Sequence, residues 1–161
     1  MHIAMRLAAA ALACTCSLTL AQPAVEDHVV NIASRDKAMQ AAIRQAQDTL
    51  PGFLALAANP PAGTGGYKLK VAITDDNGTE HFWVAPFQPV AGGFRGVLNN
   101  TPQVVRNVAL GQVIEFDRSH ISDWGYVRNG RQVGSFTVCV LFKQMPQGEV
   151  ERYRREYGFD C

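Results

Sequence analysis

The sequence predicts an α+β protein, with a helix near the start packed on a strongly curved antiparallel sheet of about five or six strands and a short closing helix. Three observations carry this reading. Met39, Ala42, Ile43, Ala46 and Leu50 recur at helical spacing and make one apolar stripe. Tyr67–Asp75 alternates, with Tyr67, Leu69, Val71 and Ile73 on one side and Lys68, Lys70, Ala72 and Thr74 on the other. Asn77-Gly78, Gly92-Gly93 and Asn129-Gly130 are hairpin signals, which favour sequential antiparallel pairing. A cystatin-like wrap of sheet around helix and a half-open barrel both satisfy this pattern.

The chain has 161 residues, enough for one domain with a sizeable core. Its formal net charge of +1 gives no reason to expect a nucleic-acid partner or an anionic membrane. Met1–Arg6 is a short basic start, Leu7–Leu20 is apolar and uncharged, and Thr19-Leu20-Ala21 offers small residues at a cleavage site. Residues 1–21 therefore read as a secretory signal peptide cut between Ala21 and Gln22. A retained anchor, or a lipoprotein site at Leu12-Ala13-Cys14, is the alternative. Residues 22–33 read as a flexible leader and 34–161 as a single domain, periplasmic or secreted, with no transmembrane segment in the mature chain.

Along that domain, Ser34 is the expected helix cap, with Asp36 in the first turn. Pro51 ends or kinks the helix, Gly52–Ala58 adds a short turn, and Asn59-Pro60-Pro61 stops any continuation. With Asn77-Gly78 as a two-residue turn, Ile73 lies opposite Phe82 and Val71 opposite Val84. His81 then stands beside Thr74, and Trp83 beside Ala72, on the less apolar face. Pro86 and Pro89 mark the end of that strand or an edge. Phe94–Leu98 and Gln112–Asp117 supply further strands, separated by a loop that starts at Asn99-Asn100-Thr101-Pro102.

The stretch His120–Phe142 organises the rest. Counting out from Asn129-Gly130 pairs Arg128 with Arg131, Tyr126 with Val133, Gly125 with Gly134 and Trp124 with Ser135. Facing glycines at 125 and 134 call for something bulky against that backbone, a core aromatic or a ligand. Ser135–Phe142 is apolar on both faces and reads as a central strand. A last helix follows, with Val150, Tyr153 and Tyr157 in one stripe and Gly158 as its stop. Cys139 and Cys161 survive signal removal, and an even pair in an exported chain suggests a disulfide. Two free thiols, or an intermolecular bridge through Cys161, are the alternatives. With the bond made, the last helix lies over the Trp124–Tyr126 face. The first helix is then left for the Phe136–Val138–Val140 face, unless the sheet curls enough to bury one face against itself.

Glu80–Val84 (EHFWV), Gly96–Pro102 (GVLNNTP), Leu110–Phe116 (LGQVIEF) and Ile121–Phe136 (ISDWGYVRNGRQVGSF) together resemble the YegJ-like proteins. These form a bacterial family carried as a domain of unknown function. The resemblance runs from about Thr49 to Cys161. It implies a small bacterial protein, exported in some members, and supplies no activity or catalytic residue to transfer.

The residues themselves offer a short set of candidates. His81, Trp83, Asn99, Asp123 and Trp124 gather aromatic and polar groups near strand ends. They suit a non-catalytic surface that binds an envelope protein or a cell-wall fragment, with inhibitor or immunity action as one version. A small hydrolase of an envelope polymer is the alternative, with Asp123 and either His81 or Glu80 as acid and base. No cofactor is expected, because no phosphate-binding glycine loop follows a strand. No metal site is expected either, since His28, His81 and His120 lack ligand spacing.

Overall fold

A computed structural model describes residues 36–161; the predicted signal peptide and leader lie outside the described residues. Helix α1 runs Lys37–Ala58. Its cap is Asp36 rather than Ser34, which lies outside the described residues. The Asp36 carboxylate accepts from Ala38 N at 2.8 Å and Met39 N at 2.9 Å, satisfying two amides that have no partner inside the helix. Pro51 neither ends the helix nor separates Gly52–Ala58 from it. Pro51 is exposed, while Leu50 and Phe53 on either side are clamped in the core at 1% and 2% exposure. Packing of those two side chains outweighs the hydrogen bond that proline removes.

The six strands form one open antiparallel sheet. They are β1 (Thr64–Asp75), β2 (Gly78–Val90), β3 (Gly93–Leu98), β4 (Val113–Phe116), β5 (Ile121–Arg128) and β6 (Arg131–Gly134), in the spatial order β4-β3-β2-β1-β5-β6. The sheet does not close, so β4 and β6 are its two edges. The first hairpin turns at Asp76-Asn77, one residue earlier than expected, because Asp75 Oδ1 takes Asn77 N at 2.8 Å and fixes the corner there. Val71 therefore faces Phe82, Ala72 faces His81 and Lys70 faces Trp83. Each partner shifts by two residues, so every side chain keeps its expected face. β2 also continues through Pro86 and Pro89 to Val90. Its pairing with β1 stops at Val84, so both prolines sit where the strand has one ladder to make.

The second hairpin has the expected register from Arg128↔Arg131 to Gly125↔Gly134. Beyond it the expectation of a central strand fails: Phe136–Phe142 is a helix, α2. Gly134 (φ 79°) and Ser135 (φ 55°) are both left-handed and turn the chain out of the ladder. The facing glycines are filled from within the hairpin. A Cβ on Gly134 would collide with the Trp124 indole, and one on Gly125 with the Ser135 hydroxyl.

With that strand gone, the two layers exchange places relative to the expectation. α1 packs on the Trp124–Tyr126 face, burying Ala46, Leu50 and Phe53 against Leu69, Val71, Val84, Ile121, Trp124 and Tyr126. The last helix, α3 (Gln147–Tyr157), joins α2 in a separate cluster of Val138, Phe142, Val150 and Phe159, with Trp83 partly buried against it. Cys139 and Cys161 are joined, their Cα atoms 5.4 Å apart, and tie α2 to the segment that follows α3.

Candidate functional site

The face turned away from α1 holds most of the sequence candidates. Val71 and Val84 point into the α1 core, so their neighbours Lys70, Ala72, His81 and Trp83 point to the other side. Across β1, the partner of Lys70 is Asp123 and that of Val71 is Ile121, which makes Ser122 an extra residue in β5. This bulge places Ser122 and Asp123 together on the far face while Ile121 and Trp124 both reach the core.

His81 spans the small Ala72 to meet Ser122, with Nδ1 and the Ser122 hydroxyl oxygen 2.8 Å apart. The same hydroxyl donates to Lys70 O at 3.2 Å. The hydroxyl proton is thereby spoken for, so His81 Nδ1–H is the donor and Nε2 is left as an acceptor. Desolvation of the ring, and after it the charge on Lys70, hold the imidazole below its ordinary value of 6.5. The ring is neutral at pH 7. Ser122 was not among the sequence candidates. The signal that marks it is the pair of adjacent polar residues in Ile121-Ser122-Asp123-Trp124, which breaks the alternation of a strand.

Trp83 stands two residues along β2, under the Lys68 ammonium at 4.6 Å and the Lys70 ammonium at 5.3 Å from a ring centroid. The loop after β3 is fastened to its backbone: Asn99 N donates to Trp83 O, and Trp83 N donates to Asn100 Oδ1, both at 2.8 Å. Asn99 is exposed beside it.

Asp123 has no solvent exposure. Its carboxylate accepts from Thr137 N at 2.8 Å, Thr137 Oγ1 at 2.6 Å, Phe136 N at 3.2 Å and Trp124 N at 2.8 Å. It acts as the N-cap of α2, a task that Ser135 leaves undone. Burial pushes its pKa above the ordinary 3.8, against the opposing effects of the Thr137 hydroxyl, Lys70 and the backbone amides. Lys70 Nζ in turn donates to Thr137 Oγ1 at 3.2 Å.

Glu80 lies on the other face, opposite Ile73. It is buried and accepts from the amides of Gln103, Val104 and Val105, at 3.0, 2.9 and 3.4 Å for Oε2. Asp75 does the same for Arg106 N at 2.5 Å, and that bond leads the causes that lower its pKa. These two carboxylates hold residues 101–106 against the end of the sheet, where Val105 is fully buried with Phe82 and Leu98. Trp124 is also a core residue. Its indole N–H donates to Ala46 O at 2.9 Å and its ring stacks on Phe53 at 4.9 Å.

The structure thus brings His81, Trp83, Asn99 and Asp123 to one face and leaves Trp124 and Glu80 on the other. Of the four, Asp123 is enclosed and the other three are partly or well exposed. Among the described residues no three His, Cys, Asp or Glu side chains gather as a metal site, and no helix is long and apolar enough to cross a membrane.

Comparison with known proteins agrees with the motif resemblance. The family model described as an uncharacterized protein conserved in bacteria (DUF2314) matches residues 36–161. The chain is 33% identical over 130 residues to the uncharacterized protein YegJ of Escherichia coli K12, covering 81% of this chain and 84% of that one. It is also 33% identical over 81 residues to a putative ankyrin repeat protein of Neisseria meningitidis serogroup B, covering 50% of this chain and 32% of that one. No solved structure matches it. The chain belongs to the DUF2314 family of uncharacterized bacterial proteins, and within it is YegJ-like.

Proposed function

We propose that the protein is an exported, non-catalytic binding module of the bacterial envelope, and that its binding surface is the face bearing His81, Trp83 and Asn99. One observation carries this reading: the carboxylates that hydrolysis would require are engaged in building the fold. Asp123 caps α2 and Glu80 anchors the loop at 101–105, on opposite faces of the sheet. Neither is placed to exchange a proton with a substrate at the surface. His81 offers a neutral acceptor held in one tautomer, and Asn99, fastened through its backbone N–H to Trp83 O, is exposed. The uncharged hydrogen-bonding groups of His81 and Asn99 suit the hydroxyl and acetamido groups of a wall glycan, while the Trp83 ring is engaged by the Lys68 and Lys70 ammoniums.

Cosedimentation with purified peptidoglycan sacculi tests this. The wild-type protein is expected to pellet with sacculi. His81→Ala and Asn99→Ala are each expected to weaken that binding roughly tenfold, the loss of one buried hydrogen bond at a binding surface. A wild-type protein that stays in the supernatant, or variants that bind as well as it does, would remove the proposal.

A further inference from the structure

The two edges of the sheet are finished differently. At β6, Gln132 N donates to Gly158 O at 3.0 Å, and Gly158 lies so close to Gly130 that a side chain there would collide with its carbonyl. The segment after α3 therefore covers that edge. At β4, among the described residues, no backbone hydrogen bond reaches the outer side of Val113–Phe116. Exposed large hydrophobics flank this same edge, Leu110 at 58% and Val113 at 51%. The strand has neither Lys, Pro nor a bulge to turn a visitor away; only its shortness and Glu115 protect it.

We infer that the β4 edge is a second docking site, which takes an extended peptide of a partner protein as a seventh strand. The pattern of β4 specifies that peptide. Ile114 and Phe116 face the α1 side, so apolar residues belong opposite them. Val113 and Glu115 face away, so an apolar and a basic residue belong opposite those. Glu115 has 68% of its side chain exposed and meets Arg95 only at 3.9 Å, which leaves its carboxylate open to a second cation. The inner neighbour β3 answers this pattern at three of the four positions, setting Phe94 against Phe116, Arg95 against Glu115 and Val97 against Val113, with Gly96 against Ile114. A strand of the same kind fits the outer side. A second copy of the chain fits less well. Antiparallel self-pairing that overlaps most of β4 and keeps faces aligned sets Glu115 against its twin or against Val113.

The site is separate from the His81 face, and the two stand or fall independently. A peptide with the β3 sequence, Gly93–Leu98, acetylated and amidated, is titrated into the isotope-labelled mature chain and followed by amide shifts. The expected result is saturable shifts confined to Gly111–Asp117. A peptide with Glu in place of the arginine should bind roughly tenfold more weakly, and Glu115→Lys should invert that preference. Val113→Lys should abolish binding at an unchanged melting temperature, and His81→Ala should have no effect. Absence of shifts at Gly111–Asp117, or equal binding of the two peptides, overturns the inference. So does a concentration-dependent dimer abolished by Val113→Lys, because the occupant would then be a second copy.

Discussion

A carboxylate without solvent has to be satisfied by its neighbours, and Asp123 takes four donors to achieve this. Asp123→Ala would strand the Phe136 and Thr137 amides in the interior, at a cost of about 3 kcal/mol in urea unfolding. Because its folded pKa is raised, the group's contribution to stability is full below 3.8 and is lost as pH rises through the folded value. His81 has the opposite dependence on pH. Its folded pKa is lowered, so its contribution is present above 6.5 and is lost as pH falls through the folded value. An NMR titration should place the His81 midpoint below 6.5, and Lys70→Ala should move it upward. At this scale the sequence was legible where parity sufficed: His81 and Trp83 stand on the face that alternation assigned them. Ser122 and the capping role of Asp123 were hidden, because a bulge and a helix on another segment create them.

Among the elements, α2 is the least legible. Phe136–Phe142 is rich in β-branched residues and apolar all round, a pattern shared by buried strands and buried helices. Two left-handed residues and a cap supplied from β5 decide for helix, and none of these is visible in a seven-residue window. The disulfide then anchors the far side of the same element. Replacing Cys139 and Cys161 by Ser should cost about 2–4 kcal/mol, read as a lower urea midpoint and matched by wild-type protein in reductant. Helix α1 carries the reverse situation, a local breaker overruled by packing. Pro51→Ala should restore a hydrogen bond on an exposed face and stabilise the protein by about 1–3 kcal/mol.

For the whole molecule, an open sheet with two dissimilar coverings separates scaffold from surface. Periodicity and hairpin signals suffice for an N-terminal helix on an antiparallel sheet of about five or six strands, since both are local. Which layer covers which face was not local. Local alternation extends a strand through Cys139, and the helix that replaces it sends the last helix to the other side. The outcome puts α1 over Trp124 and leaves His81 and Asn99 exposed on the opposite side. Scaffold carboxylates and surface hydrogen-bonding groups should then respond differently to substitution.

A paired measurement of melting temperature and sacculus affinity on Asp123→Asn and His81→Ala tests that division most directly. Asp123→Asn should melt lower and, below its transition, bind like wild type; His81→Ala, which gives up one half-buried hydrogen bond to Ser122, should lose far less stability than Asp123→Asn and bind roughly tenfold more weakly. Lost binding in Asp123→Asn at unchanged stability, or full binding by His81→Ala, would contradict the account.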